Sequence, residues 1–168
     1  MVNAPSPKTG RKRGALPGVD EVPAKSDRAT FVRDTMRVTF SGPLDFIYMP
    51  SRDVAADVRY FTDVLGAKLI FAVEGMGTRV AMVELTEQPP RLLLAGHLED
   101  GPPVLVYRVE DIKRATHDLE ARGWKRGHTL EIPHGPVCSF TTPGGHRLAI
   151  YELARPEVGE HFAGRRDF

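Results

Sequence analysis

The groups in this chain that could ligate a metal or attack a bond are few and scattered: six histidines, one cysteine and isolated carboxylates. The histidines are His97, His117, His128, His134, His146 and His161, and none falls in an HxxxH or HxH spacing. With a single cysteine there is also no CxxC pair and no intrachain disulfide, so no local pattern brings imidazole or thiolate donors together. His117 faces away from Ile112 and Leu119 on a helical stretch. His134, between Pro133 and Gly135, and His146, in a Gly-Gly-His-Arg run, read as turn residues, while His97 ends a strand beside Glu99 and Asp100. Cys138 is expected to be a small core or pocket-lining residue, since a free thiol is commonly buried and unreactive.

Nucleophilic and phosphate chemistry leave no signature either. There is no GxSxG elbow, and Gly75-Met76-Gly77 lacks the following helix and lysine of a phosphate loop, so it reads as a hairpin turn. Glu84 stands in RVAMVELT on the same strand face as Val80 and Met82. Buried there, it could bind a cation or act as a base; at the strand end, it would be wet.

These residues are carried by a duplicated unit. Residues 46–69, FIYMPSRDVAADVRYFTDVLGAKL, begin as a short strand that breaks at Pro50-Ser51. A helix follows, with Val54, Val58, Phe61 and Leu65 on one face, the spacing of a buried stripe. Asp53 is placed to cap its first N–H groups, and Gly66 to close it with a positive φ. The pattern returns from Val104, where an offset of 58 residues sets Asp111 on Asp53 and Ile112 on Val54. Strands are expected after the first helix at 68–73, 78–85 and 91–96, and after the second at 128–132, 137–141 and 147–153. A repeated βαβββ unit fixes architecture more firmly than any single motif.

Residues 1–37 differ in kind. They hold eight basic against four acidic residues, four prolines and no apolar periodicity, a composition expected to stay disordered. Residues 38–168 carry 15 basic against 18 acidic residues, so overall near-neutrality conceals a basic arm on a slightly acidic body. Residues 31–40 are a transitional stretch, an extra strand or an edge segment. No apolar run is long enough to span a bilayer and no signal-like segment follows the RKR cluster; a cytoplasmic protein with no membrane partner is expected, with nucleic acid an unfavoured partner.

The Asp–Val and Asp–Ile helix openings, YFTDVLGAKL and the TTPGGHRLAIYEL ending together resemble the vicinal oxygen chelate superfamily of glyoxalases, extradiol dioxygenases and bleomycin-binding proteins. The resemblance covers about 44–153. It implies an α+β fold in which two βαβββ modules, 44–98 and 102–153 within a domain at 38–153, form a curved cup, commonly in a homodimer. The tail, 154–168, has Val158 and Phe162 four apart, consistent with a short helix packing on a neighbour.

The resemblance also implies where a divalent ion would be held. Its ligand positions fall on Phe46, Val104 and Ala149, with a fourth near Leu93, and none of these side chains offers a donor. In the register this sets, Phe46 brings Tyr48 inward, Val104 brings Val106, and Ala149 brings Tyr151. With Met82, Glu84, Leu93, Ser139 and Thr141 they define an expected ligand-binding face, largely apolar and partly aromatic. The expectation is a small organic ligand, with no metal and no other cofactor. The alternatives are a metal-dependent lyase, isomerase or dioxygenase of the same superfamily, and an interaction module whose cup is filled.

Overall fold

The structure, a computed structural model, describes residues 42–98 and 100–168. The basic arm at 1–37 and the transitional stretch at 31–40 lie outside the described residues. Two βαβββ units follow one another: β1 (Leu44–Pro50), α1 (Val54–Arg59), β2 (Lys68–Gly75), β3 (Thr78–Glu84) and β4 (Arg91–Ala95), then β5 (Val104–Val109), α2 (Ile112–Glu120), β6 (His128–Ile132), β7 (Gly135–Thr141) and β8 (Arg147–Glu152). A last helix, α3, spans Val158–Phe162. The strands form one eight-stranded sheet in the order β2-β3-β4-β1-β5-β8-β7-β6.

The joint between the units is β1 against β5, antiparallel, with Phe46 opposite Val106 and Tyr48 opposite Val104. Each of these strands runs parallel to the last strand of its own unit, β1 to β4 and β5 to β8. The helices start where their caps allow. Asp53 accepts from the Ala56 N–H at 3.0 Å, and Asp111 accepts from Lys113 and Arg114 at 2.8 and 3.0 Å, which satisfies otherwise unpaired first-turn donors. The β2–β3 hairpin turns on Met76 and Gly77, both at positive φ, as a two-residue turn between twisted strands requires.

Alternation divides the apolar residues between two sheet faces. On the helix side, Val54, Val58, Ala72, Ala81 and Leu94 pack under α1, and Val109, Ile112, Ala115, Cys138 and Ile150 pack under α2. Trp124 meets Phe140 edge-on at 5.2 Å. Cys138 is fully buried in the second of these clusters, so it is core and faces away from the expected ligand surface.

Two local departures from regular geometry matter. After Arg59 the helix widens to a π turn over Tyr60–Val64, with Leu65 N–H donating to Tyr60 at 3.2 Å. The widened turn rotates the following residues off the apolar stripe, so Leu65, expected to be buried, is 47% exposed. Gly66 closes the segment at φ +70°, where a side chain would be strained. The second departure is a bulge in β1 between Leu44 and Phe46, which sets the aim of Asp45.

The C-terminal tail stays on its own chain. Phe162 lies 5.6 Å from Phe71 of β2, ring to ring. Residues beyond α3 then run along the outer edge of β2: Gly164 donates to Ile70 at 2.9 Å, Ala72 to Arg165 at 2.9 Å and Asp167 to Ala72 at 2.8 Å. An edge strand left open would present unpaired backbone groups, and satisfying them holds the tail here.

The π turn is directly testable. Val58→Ala, which empties a buried site, is expected to cost about 1–3 kcal/mol, whereas Leu65→Lys is expected to change stability by no more than about 0.5 kcal/mol. Denaturant unfolding of the two variants checks this; equal losses would mean a regular helix that buries both.

Candidate functional site

The register carries all eleven expected ligand-face residues to the concave side of the sheet. Phe46 lies beside Val106, which lies beside Ala149, which lies beside Ser139. Tyr48 joins Val104 on one side and Leu93 on the other, and Leu93 faces Met82. Two residues from Ala149, Tyr151 pairs with Val137, and two from Ser139 is Thr141. The two halves of this face are not equivalent.

On the second unit, Val104, Val106, Val137, Ala149 and Tyr151 are all buried and pack with Phe46 and Tyr48. That half is filled by its own side chains. Ser139 is partly buried and Thr141 exposed. On the first unit a cavity of about 550 Å³ remains, lined by Phe46, Met82 and Glu84 with Lys68–Phe71 of β2 and Arg91 of β4. His134, from the β6–β7 turn, and Gly159, Ala163, Gly164 and Arg166 of the tail complete its wall. Three of the eleven expected residues therefore line the opening. Tyr48 and Leu93 are partly buried outside it.

Glu84 is neither wet nor free. Its side chain is 15% exposed, and its two oxygens face Arg91 Nε at 2.5 Å and Lys68 Nζ at 3.4 Å. Burial alone would raise its pKa; the hydrogen bond and charge of Arg91, with the charge of Lys68, outweigh that and hold it below the usual carboxylate range. A carboxylate tied in this way is a poor base and a poor cation site, which corrects the role considered for it above.

A second polar group sits on the concave face where alternation does not foresee it. The β1 bulge turns Asp45 to the same side as Phe46. Asp45 Oδ2 accepts from the Tyr151 hydroxyl at 2.6 Å and lies 3.3 Å from Arg108 Nε. Burial, then the hydrogen bond and charge of Asp45, push the Tyr151 phenol up, against weaker pulls from Arg108 and Arg91. Tyr48, pushed up to about 12 by burial, has its hydroxyl 2.7 Å from His97 Nε2. Both phenols are protonated at neutral pH. Burial, and then the charge of Arg155, hold His134 below the usual imidazole range, so it faces the cavity uncharged.

Some missed residues had a signal. Arg91 stands two residues before Leu93 and Arg108 two after Val106, so alternation alone sets both inward. Asp45 needed the bulge, and the tail needed its docking on β2; neither leaves a mark in the sequence.

A divalent ion needs nitrogen, thiolate or carboxylate donors. The side chains at the positions the resemblance implies, Phe46, Leu93, Val104 and Ala149, are hydrocarbon, and the nearby carboxylates of Asp45 and Glu84 are already held by cations and a phenol. The four side chains at those positions supply no such donor. Among the described residues, no three of His, Cys, Asp and Glu come together as a metal group, and no helix is long and apolar enough to cross a membrane.

Two βαβββ units joined edge to edge, with one concave face and helices on the other, define a paired-module cup protein. The sequence model of the Glyoxalase/Bleomycin resistance protein/Dioxygenase superfamily matches residues 44–150, and the chain belongs to that superfamily. No curated protein matches the sequence. Among solved structures, methylmalonyl-CoA epimerase from Mycobacterium tuberculosis is 18% identical, with TM-score 0.58, covering 70% of this chain and 91% of that one. A hypothetical protein from Bacillus halodurans C-125 is 16% identical, with TM-score 0.59 and coverages of 68% and 96%. A Streptomyces coelicolor methylmalonyl-CoA epimerase variant in complex with 2-nitronate-propionyl-CoA is 15% identical, with TM-score 0.55 and coverages of 68% and 99%. At these identities the likeness is one of fold.

Two variants test the polar groups. Tyr151→Phe leaves the buried Asp45 without its hydroxyl donor and is expected to cost about 1–3 kcal/mol in denaturant unfolding. Glu84 has a depressed pKa in the folded state, so its stabilisation is full above about pH 4.3, its unfolded value, and is lost as pH falls through the folded value. Glu84→Gln is therefore expected to flatten the fall in Tm between neutral and strongly acid pH; an unchanged acid limb would remove Glu84 from that account.

Proposed function

We propose that this protein is a metal-independent binding protein for a small organic molecule, held in the cavity between β2, β3, β4 and the C-terminal tail. The carrying observation is that cavity: about 550 Å³, with Phe46, Leu69, Ile70, Phe71 and Met82 among its walls, within the size range of small-ligand sites. Binding would come from burial and stacking of an aromatic or amphipathic body. Tyr48 and Tyr151, first considered as orienting hydroxyls, have theirs engaged by His97 and Asp45, so orientation falls to the charged groups at the cavity. Val104, Val106, Ala149 and Leu93 act as the packed floor that shapes it, with Ser139 and Thr141 at the far side of the cup.

In this proposal the protein has no metal or other cofactor and works by binding, in the cytoplasm and as a homodimer. Hydrocarbon at the superfamily's ligand positions supports metal independence. The competing reading, a metal-dependent lyase, isomerase or dioxygenase, draws on the solved methylmalonyl-CoA epimerases that share the fold. It would require donors from elsewhere in the chain. An interaction module with a fully filled cup is disfavoured by the open half.

Elemental analysis of the purified protein, with thermal-shift titration of divalent ions, separates these readings. Less than about a tenth of an equivalent of metal and no rise in Tm is expected, because a ligand specific for the folded state must stabilise it. Near-stoichiometric zinc, manganese, nickel or iron that raises Tm would overturn metal independence.

A further inference from the structure

We infer that the cavity selects anions: its occupant is a flat or extended apolar body bearing an anionic oxygen group, a carboxylate or a phosphate. This rests on the binding reading above and adds the chemical class of the ligand.

Among the described residues, the charged side chains lining the cavity are Lys68, Arg91, Arg166 and Glu84. Glu84 is matched by the Arg91 and Lys68 groups that hold it, so one carboxylate stands against three cations. Arg166 donates to the backbone carbonyls of Leu69 at 2.8 Å, Ile70 at 3.1 Å and Arg165 at 2.7 Å. Those acceptors are uncharged and fix the guanidinium without neutralising it. His134 adds no negative charge, and its lowered pKa keeps it neutral at pH 7. The cavity therefore carries an excess of two positive charges on a body, residues 38–168, in which acidic residues outnumber basic ones by 18 to 15.

The donors are also available. The Arg91–Glu84 pair uses only Nε of Arg91, leaving its Nη groups outside that pair, and the Lys68 side chain is 76% exposed. An arginine fork beside a lysine suits a carboxylate or phosphate. The apolar walls at Phe46, Phe71 and Met82 lower the local dielectric and strengthen that attraction. A cationic ligand would meet no unpaired carboxylate here.

The test is direct binding of naphthoate, naphthyl phosphate and neutral naphthamide to the full chain, by calorimetry at low and high salt. The three share one apolar body and differ in charge. Either or both anions are expected to bind at least about tenfold more tightly than the amide, with the preference shrinking as salt rises. The better anion distinguishes a carboxylate from a phosphate ligand. Lys68→Gln, at an exposed site, and Arg91→Gln, which leaves Glu84 its Lys68 partner, should each reduce the preference to about twofold. Equal binding of both anions and the amide would overturn anion selection while leaving a binding cavity in place. A preference that survives these two variants and Arg166→Gln as well would overturn its assignment to this cavity. Binding of none of the three would overturn this inference and the binding reading beneath it.

Discussion

The antiparallel pairing of β1 with β5 is the constraint on which the rest of the molecule depends. It turns two half-sheets into one eight-stranded surface and sets Phe46 against Val106 and Tyr48 against Val104. A slip of one residue would turn the opposite side chains of one unit to the concave face, separating Tyr151 from Asp45 and exposing the valines that now pack together. The helices lie on the other side, where each covers its own unit. The pairing thus decides which residues are core and which are available to a ligand.

From that joint, duplication of architecture gives way to asymmetry of content. The second unit fills its concave half with Val104, Val106, Val137, Ala149 and Tyr151. The first keeps a cavity there, partly because Lys68, Glu84 and Arg91 hold one another at its wall and partly because the tail roofs it from β2. Paired charges resist the close packing available to valine, since each must keep hydrogen-bonding partners. One unit serves as a floor and the other as a vessel.

The repeat made most of this architecture legible in sequence. Asp53 and Asp111 mark both helix starts, and strand alternation set all eleven ligand-face residues on one side. What was not legible shares one physical character: it depends on residues that break a period or on contacts distant in the chain. Leu65 leaves its helical face because of a π turn, and Asp45 gains the concave face because of a bulge. Eight of the eleven residues lie outside the cavity, and Tyr48, Val104, Val106, Ala149 and Tyr151 among them pack on one another across strands, a matter of volume that alternation does not report. The tail's place on β2 rests on backbone bonds and on Phe162, Arg166 and Asp167, whose partners in β2 are distant in the chain.

The tail has a further consequence for how copies of this chain could meet. By donating and accepting along Ala72, it closes the β2 edge of the sheet, while β6 forms the other edge. A sheet closed at one side by its own chain has a beginning and no continuation. Among the described residues, β6 is then the edge strand with no further strand beside it. The same few backbone bonds that roof a cavity therefore also occupy part of the β2 edge, where another strand would otherwise find free partners.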